Sequence, residues 1–371
     1  MKKYFNFNFW KNFIFGSQTR KLLTTNFLSL ITLQAINFLL PLITLPYLVR
    51  ILGPEKYGLI AFAQSMVLYF NILADYGFNF SATREVSINR DDKNKINNIF
   101  SSVMSVKFCL GILGFALLVL LVFIFPRFKK DWLIYLLTYG MVFGNIFFPT
   151  WLFLGLEKIK YVTIVNIISK GISTICIFIF INNVSDYIYV PLINSLGFLI
   201  AGALSLGSAF RNFKVKFSLP SLNNMKHQLI EGRHVFISQI AVSGYSNSRI
   251  FAVGLFTNST ITGYYSIAEK LVNLVQAFPV SSLVQVLYPR LSKIFSENKR
   301  YAMKIMNKFQ NFTTVAYLII LPVFYFLAPY IIKIFSGEPY KEVVLVFRIL
   351  LIAVFFYKFE CFQSTISACI R

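Results

Sequence analysis

The chain has little acid and few residues of catalytic chemistry. Against 36 Lys and Arg, its 371 residues hold 14 Asp and Glu, two histidines and four cysteines. Cys109, Cys176, Cys361 and Cys369 fall inside apolar runs without CxxC or metal-ligand spacing, which excludes a disulfide framework or a metal centre built on them. His227 and His234 lie in or beside one basic stretch and form no cluster. There is no GxxxxGK[ST] phosphate loop, so ATP hydrolysis by that route is excluded. The polar links between apolar runs hold at most about two dozen residues, too few for a catalytic domain. The chain is therefore expected to be no enzyme and to carry no cofactor. No cleavable leader is expected either. Residues 1–24 mix Lys2, Lys3, Lys11, Arg20 and Lys21 with Phe5, Phe7, Phe9, Trp10, Phe13 and Phe15, the pattern of an uncleaved interfacial segment.

Apolar sequence is abundant. Hydrophobic residues make up 57% of the chain and charged residues 13%. They come in blocks of about twenty, the length a helix needs to cross a bilayer. Reading these blocks against their polar interruptions predicts an all-α membrane protein of ten spans: 25–49, 58–80, 99–125, 132–155, 162–182, 188–210, 234–256, 263–288, 313–334 and 343–366.

The net charge of +22 would suggest nucleic acid in a soluble protein. Here the cations sit in the short links, and membrane topology explains them, so no nucleic-acid partner is expected. Residues 1–24 and the links 81–98, 156–161, 211–233 and 289–312 hold 22 Lys and Arg; the links on the other side hold six. That bias places the N-terminus in the cytoplasm, and with ten spans the C-terminus as well.

Transporters are often built from repeated halves. Gly58-Leu59-Ile60-Ala61-Phe62-Ala63 aligns without gaps to Gly263-Tyr264-Tyr265-Ser266-Ile267-Ala268, 205 residues later, and each stretch follows an apolar span and a short polar turn. The reading is a six-helix bundle over 25–210, a cytoplasmic linker over 211–233 and a second bundle over 234–371. Matching halves would give the second bundle six helices, ending at about residue 415. Four fit before Arg371, so the second bundle is expected to lack its last two.

Eight cations remain outside the links. Arg371 is the last residue, and Lys333 and Arg348 lie close enough to span ends to snorkel. Lys107, Lys170, Arg249, Lys270 and Lys358 sit deeper. Each such cation costs roughly 2.5–3.5 kcal/mol at the bilayer centre unless it meets water, a partner or an anion. Two readings stand side by side: a cationic internal cavity that attracts a polyanion, lined by Lys107, Lys170, Arg249 and Lys270, or cations that snorkel or pair singly. Asp75, the carboxylate well within a first-half span, is either a proton or sodium coupling site or a counter-ion. Pro41, Pro46, Pro149, Pro279 and Pro322 interrupt spans and mark kinks.

Four stretches, in order, carry a resemblance: Leu45-Pro46-Tyr47-Leu48-Val49-Arg50-Ile51-Leu52-Gly53-Pro54-Glu55-Lys56-Tyr57-Gly58; Asp75-Tyr76-Gly77-Phe78 with Ser81-Ala82-Thr83-Arg84-Glu85; Trp151-Leu152-Phe153-Leu154-Gly155-Leu156-Glu157-Lys158; and Gly263 to Lys270 with Tyr288-Pro289-Arg290. Together they resemble the polysaccharide transporter family of O-antigen, or Wzx-type, flippases. The resemblance implies the fold of the multidrug/oligosaccharidyl-lipid/polysaccharide exporters, two six-helix bundles around a central cleft. It also implies a bacterial inner-membrane location, a cargo of oligosaccharide on undecaprenyl pyrophosphate and a cation-lined cleft. A polysaccharide polymerase and a chain-length regulator are the partners such a role would bring. Other readings are a multidrug–cation antiporter of the same fold, against which the cation excess argues; a membrane glycosyltransferase or polymerase, which should show a large loop or clustered carboxylates; and an inactive remnant.

Overall fold

A computed structural model describes residues 17–276 and 299–370, and among these every regular element is a helix. In chain order they are α1 Ser17–Asp75, α2 Phe78–Ile88, α3 Lys93–Ile124, α4 Pro126–Lys129, α5 Trp132–Ile146, α6 Thr150–Gly155 and α7 Ile159–Phe180. A short 3-10 turn, Val184–Ile188, leads to α8 Tyr189–Arg211, α9 Leu222–Ser246, α10 Ser248–Phe256, α11 Ser259–Gln276, α12 Lys299–Ser336 and α13 Lys341–Ile370.

Six stretches of the described residues are long and apolar enough to cross a bilayer: Leu39–Ile88, Lys93–Ile124, Trp132–Gly155, Ile159–Phe180, Val184–Arg211 and Thr314–Ser336. The protein is a multi-pass, all-α membrane protein. The end of the expected span 263–288, with Pro279 and Arg290, lies outside the described residues.

Several expected polar links prove to be sharp breaks in nearly continuous helix. In α1 the link expected at 50–57 is helical except at Gly53, whose φ of 69° and ψ of 171° divide the element in two. Pro54 follows; a proline disfavours helical geometry in the residue before it and is at home at the start of a helix. Span 132–155 is split between α5 and α6 at Phe147–Pro149, where proline lacks the amide that would continue the ladder. α3 starts at the Asp92 cap, whose side chain accepts from the amides of Asn94 and Lys95, both at 3.1 Å.

The chain divides into two compact units: residues up to Thr44 with Phe62–Phe251, and Leu45–Ala61 with the residues from Ala252 on. In the first, α5 and α7 pack on α8, α3 on α5, α2 on α6, and α9 on α2 and α3. Small residues let helices approach closely, as in α5 against α8, where a Cβ at Gly144 would lie 2.4 Å from the Phe198 backbone. Three of the basic links meet at one end of this unit. Arg90 pairs with Glu157 at 2.8 Å, the Lys216 amide donates to Asn97 Oδ1 at 2.8 Å, and the Ser218 amide to Ser101 Oγ at 3.0 Å. Links 81–98, 156–161 and 211–233 therefore share a side, as the cation count requires. A core of Phe78, Val86, Ile99, Phe100, Trp151 and Leu152 lies beneath them.

In the second unit α11 and α12 pack on α13. The aligned glycines of the internal repeat meet there. A Cβ on Gly58 would stand 1.9 Å from the Ser259 carbonyl oxygen, and one on Gly263 1.9 Å from that of Pro54. Only glycine permits this backbone approach.

Candidate functional site

Each charge inside a span poses the question of what replaces water around it. Asp75 ends α1 and Lys107 stands midway along α3; Lys107 Nζ lies 3.2 Å from Asp75 Oδ1, with the two residues 1% and 7% exposed. Asn79 Nδ2 donates to both Asp75 oxygens at 3.0 Å, while its own Oδ1 is buried without a partner. The carboxylate is aimed by the break that follows it. Tyr76 and Gly77 take left-handed φ of 46° and 80°, turning the chain into α2. A Cβ on Gly77 would lie 2.7 Å from Val235 Cγ1, and Tyr76 stacks on Phe236 at 4.4 Å between centroids, so α9 braces the break.

The other cations named from the sequence have different surroundings. Lys170 on α7 donates to Asn37 Oδ1 at 2.5 Å. Arg249 is exposed in the first turn of α10, just after the interruption at Asn247. Lys270 on α11 donates to the Tyr57 hydroxyl at 2.6 Å and sits 5.1 Å from the centre of the same ring, a cation–π arrangement. Arg348 on α13 donates Nε to the Tyr325 carbonyl at 3.1 Å, a partner midway along the neighbouring helix α12, so it is held inside the second unit rather than snorkelling from a span end. The side chain of Lys358 lies outside the described residues.

Asp75 and Lys107 are thus brought together. Lys107 and Lys170 have separate partners, and Lys270 belongs to the other compact unit. Of the polar partners, Asn79 and Asn37 were not singled out by sequence, and Tyr57 stood only within the first resembling stretch. Asn79 is four positions after Asp75, a helical spacing that could have flagged it.

The four stretches quoted above also pair in space. Ser81–Glu85 and Trp151–Lys158 lie on the packed helices α2 and α6: Thr83 Oγ1 donates to the Trp151 carbonyl at 3.2 Å, and Gly155 is held against Val86 and Thr83. Residues 45–58 and 263–270 meet through Gly58, Gly263 and the Lys270–Tyr57 bond.

The model of a family described as "Polysaccharide biosynthesis protein" matches residues 23–295. A protein named "Putative O-antigen transporter" from Escherichia coli (strain K12) is 34% identical over 282 residues, covering 76% of this chain and 68% of that one. One of the same name from Shigella dysenteriae is 30% identical over 283 residues, covering 76% and 69%. Among solved structures, an inward-facing multidrug resistance MATE family transporter of the MOP superfamily superposes with a TM-score of 0.70 at 14% identity, over 92% of this chain and 84% of that one. A MATE protein in a bent conformation gives 0.51 at 13% identity, over 88% and 82%. At these identities the likeness is one of fold.

Proposed function

The chain belongs to the polysaccharide biosynthesis protein family, and from that premise we propose that it is a flippase carrying a lipid-linked, anionic saccharide across a membrane. The observation that carries this is the family match over 23–295 together with two relatives named as O-antigen transporters. The cargo of the proposal is an oligosaccharide repeat unit on undecaprenyl pyrophosphate. The membrane is the bacterial inner membrane, with the N-terminus in the cytoplasm, as the 22-to-6 cation bias supports. A polysaccharide polymerase and a chain-length regulator are the partners this role brings.

The chemistry follows from how the cations are held. A pyrophosphate is attracted to positive charge that no carboxylate has cancelled, and Lys270 and Lys170, whose bonds run to a phenol and an amide, keep theirs. With exposed Arg249 they are the groups that draw the headgroup into a cationic cleft while the polyprenyl tail stays in lipid. Lys107 is different, because Asp75 holds it. A proton or sodium ion taken up at Asp75 releases Lys107 to the anion. Uptake of the ion and binding of the cargo then favour each other, as linkage requires, and alternation of the cleft between the two faces completes transport.

Complementation tests this reading. The full chain is expressed in a strain whose surface-polysaccharide flippase is deleted, with Lys270→Gln and Arg249→Gln variants beside it. Rescue by the chain, lost in both variants at equal membrane levels, is expected. Absence of rescue by the unaltered chain at normal levels contradicts it.

A further inference from the structure

The linker that leads from α8 into α9 mixes cations with bare apolar side chains, and no step above uses it. From Arg211 to Ile230 it carries Arg211, Lys214, Lys216 and Lys226, all exposed, and no Asp or Glu. Among the described residues none of the four forms an ion pair. Beyond the end of α8 the chain reverses at Lys214, whose φ of 52° is left-handed, while the Val215 amide donates to the Ala209 carbonyl at 3.2 Å. The reversal lays the following residues along α3. The Lys216 amide meets Asn97 Oδ1, and the Ser218 amide meets Ser101 Oγ one helical turn further in, where the apolar run expected to enter the bilayer at residue 99 has begun. Residues 217–222 therefore stand at the depth where headgroups give way to hydrocarbon.

The apolar residues of this segment fall into two sets. Phe213 packs edge-on against Phe153 and Tyr161, and Val215 is buried in the core beneath the links. On α9, Gln228 Nε2 donates to Glu85 Oε2 at 2.7 Å, so the segment is fixed at both ends. Between those anchors Leu219 is 92% and Leu222 81% exposed, with exposed Phe217 beside them. Bare leucines among lysines are the pattern of a surface that enters a lipid interface: the apolar side chains reach below the headgroups, and the lysine stems carry their ammonium groups out to the phosphates. Charge of one sign favours anionic headgroups over zwitterionic ones. We propose that residues 214–226 form a docking surface for anionic phospholipid, in the leaflet that the cation bias assigns to the cytoplasm. Depth chooses lipid over a protein partner, because the leucines stand level with the start of the apolar run of α3, where hydrocarbon begins. The inference does not depend on what the protein carries.

The test places the full chain carrying Leu219→Trp in nanodiscs of phosphatidylcholine, with or without phosphatidylglycerol, and subtracts the emission of the unaltered chain. Bromine on the acyl chains is expected to quench the added tryptophan, and more strongly when phosphatidylglycerol is present. Lys214→Gln combined with Lys216→Gln should lower that extra quenching about threefold, and high salt should lower it as well. All three positions are exposed, so the variants keep the fold, which their elution as monodisperse protein checks. Emission of a water-exposed indole that brominated lipid leaves untouched overturns the proposal. Quenching indifferent both to phosphatidylglycerol and to the two lysine substitutions overturns it too. Shielding of the tryptophan in native membranes but not in nanodiscs would assign the surface to a protein partner and overturn the lipid assignment.

Discussion

Lys107 in the first unit and Lys270 in the second are both cations carried on apolar helices, yet the protein accommodates them in opposite ways. Lys107 is buried against a carboxylate that an asparagine holds in place, so the pair is neutral as a whole. Lys270 is half-buried against a phenol oxygen and the face of the same ring, partners that solvate the ammonium without cancelling it. Charge inside a span is therefore no measure of charge offered to a ligand. The partner decides, and only the second arrangement leaves positive charge for an anion at rest.

The largest expected effect separates the two housings directly. Lys107→Ala leaves Asp75 charged and buried, and it should cost about 3–5 kcal/mol of stability in detergent-solubilised protein. Asp75→Asn combined with Lys107→Met removes both charges and should restore most of that loss. Failure of the double variant to recover would break the view that the pair is self-contained. The next effect concerns the helix crossing that positions Lys270. Gly263→Ala drives a methyl against the Pro54 carbonyl and should cost about 1–3 kcal/mol. Gly207→Ala, with nothing within 4 Å of the added carbon, should be neutral or stabilising by up to about 1 kcal/mol. The smallest effect sharpens the contrast. Tyr57→Phe removes one hydroxyl and should cost about 1 kcal/mol by thermal unfolding, far below the Lys107→Ala loss, because the ring still faces the ammonium.

Much of the architecture was legible. Run length located six of the ten expected spans among the described residues, 58–80, 99–125, 132–155, 162–182, 188–210 and 313–334, because crossing a bilayer sets a minimum length of apolar helix. The cation count grouped links 81–98, 156–161 and 211–233 on one side, and the ion pair and hydrogen bonds among them bear that grouping out. The aligned glycines also proved to be packing positions: Gly58 lies against the Ser259–Gly263 backbone and Gly263 against Pro54. The partners of the charges were not legible. Lys107 is 32 residues from Asp75, Gln228 is 143 from Glu85 and Lys270 is 213 from Tyr57. Such pairs depend on how helices are rotated against one another, and the apolar run of α3 around Lys107 carries no amphipathic stripe to report it. The breaks were half visible. Pro149 announced one, whereas the turn at Tyr76 depends on Gly77 fitting beneath Val235, which only the packed structure reveals.

The most direct test of the central claim is movement of a fluorescent pyrophosphate-linked oligosaccharide across proteoliposomes containing the full chain, compared with Lys270→Arg and Lys270→Gln. The account predicts protein-dependent transbilayer movement that survives the arginine substitution and falls at least about tenfold with glutamine, while the fraction of folded protein stays the same. Movement equal in both variants, or none above protein-free vesicles with the unaltered chain, would contradict it.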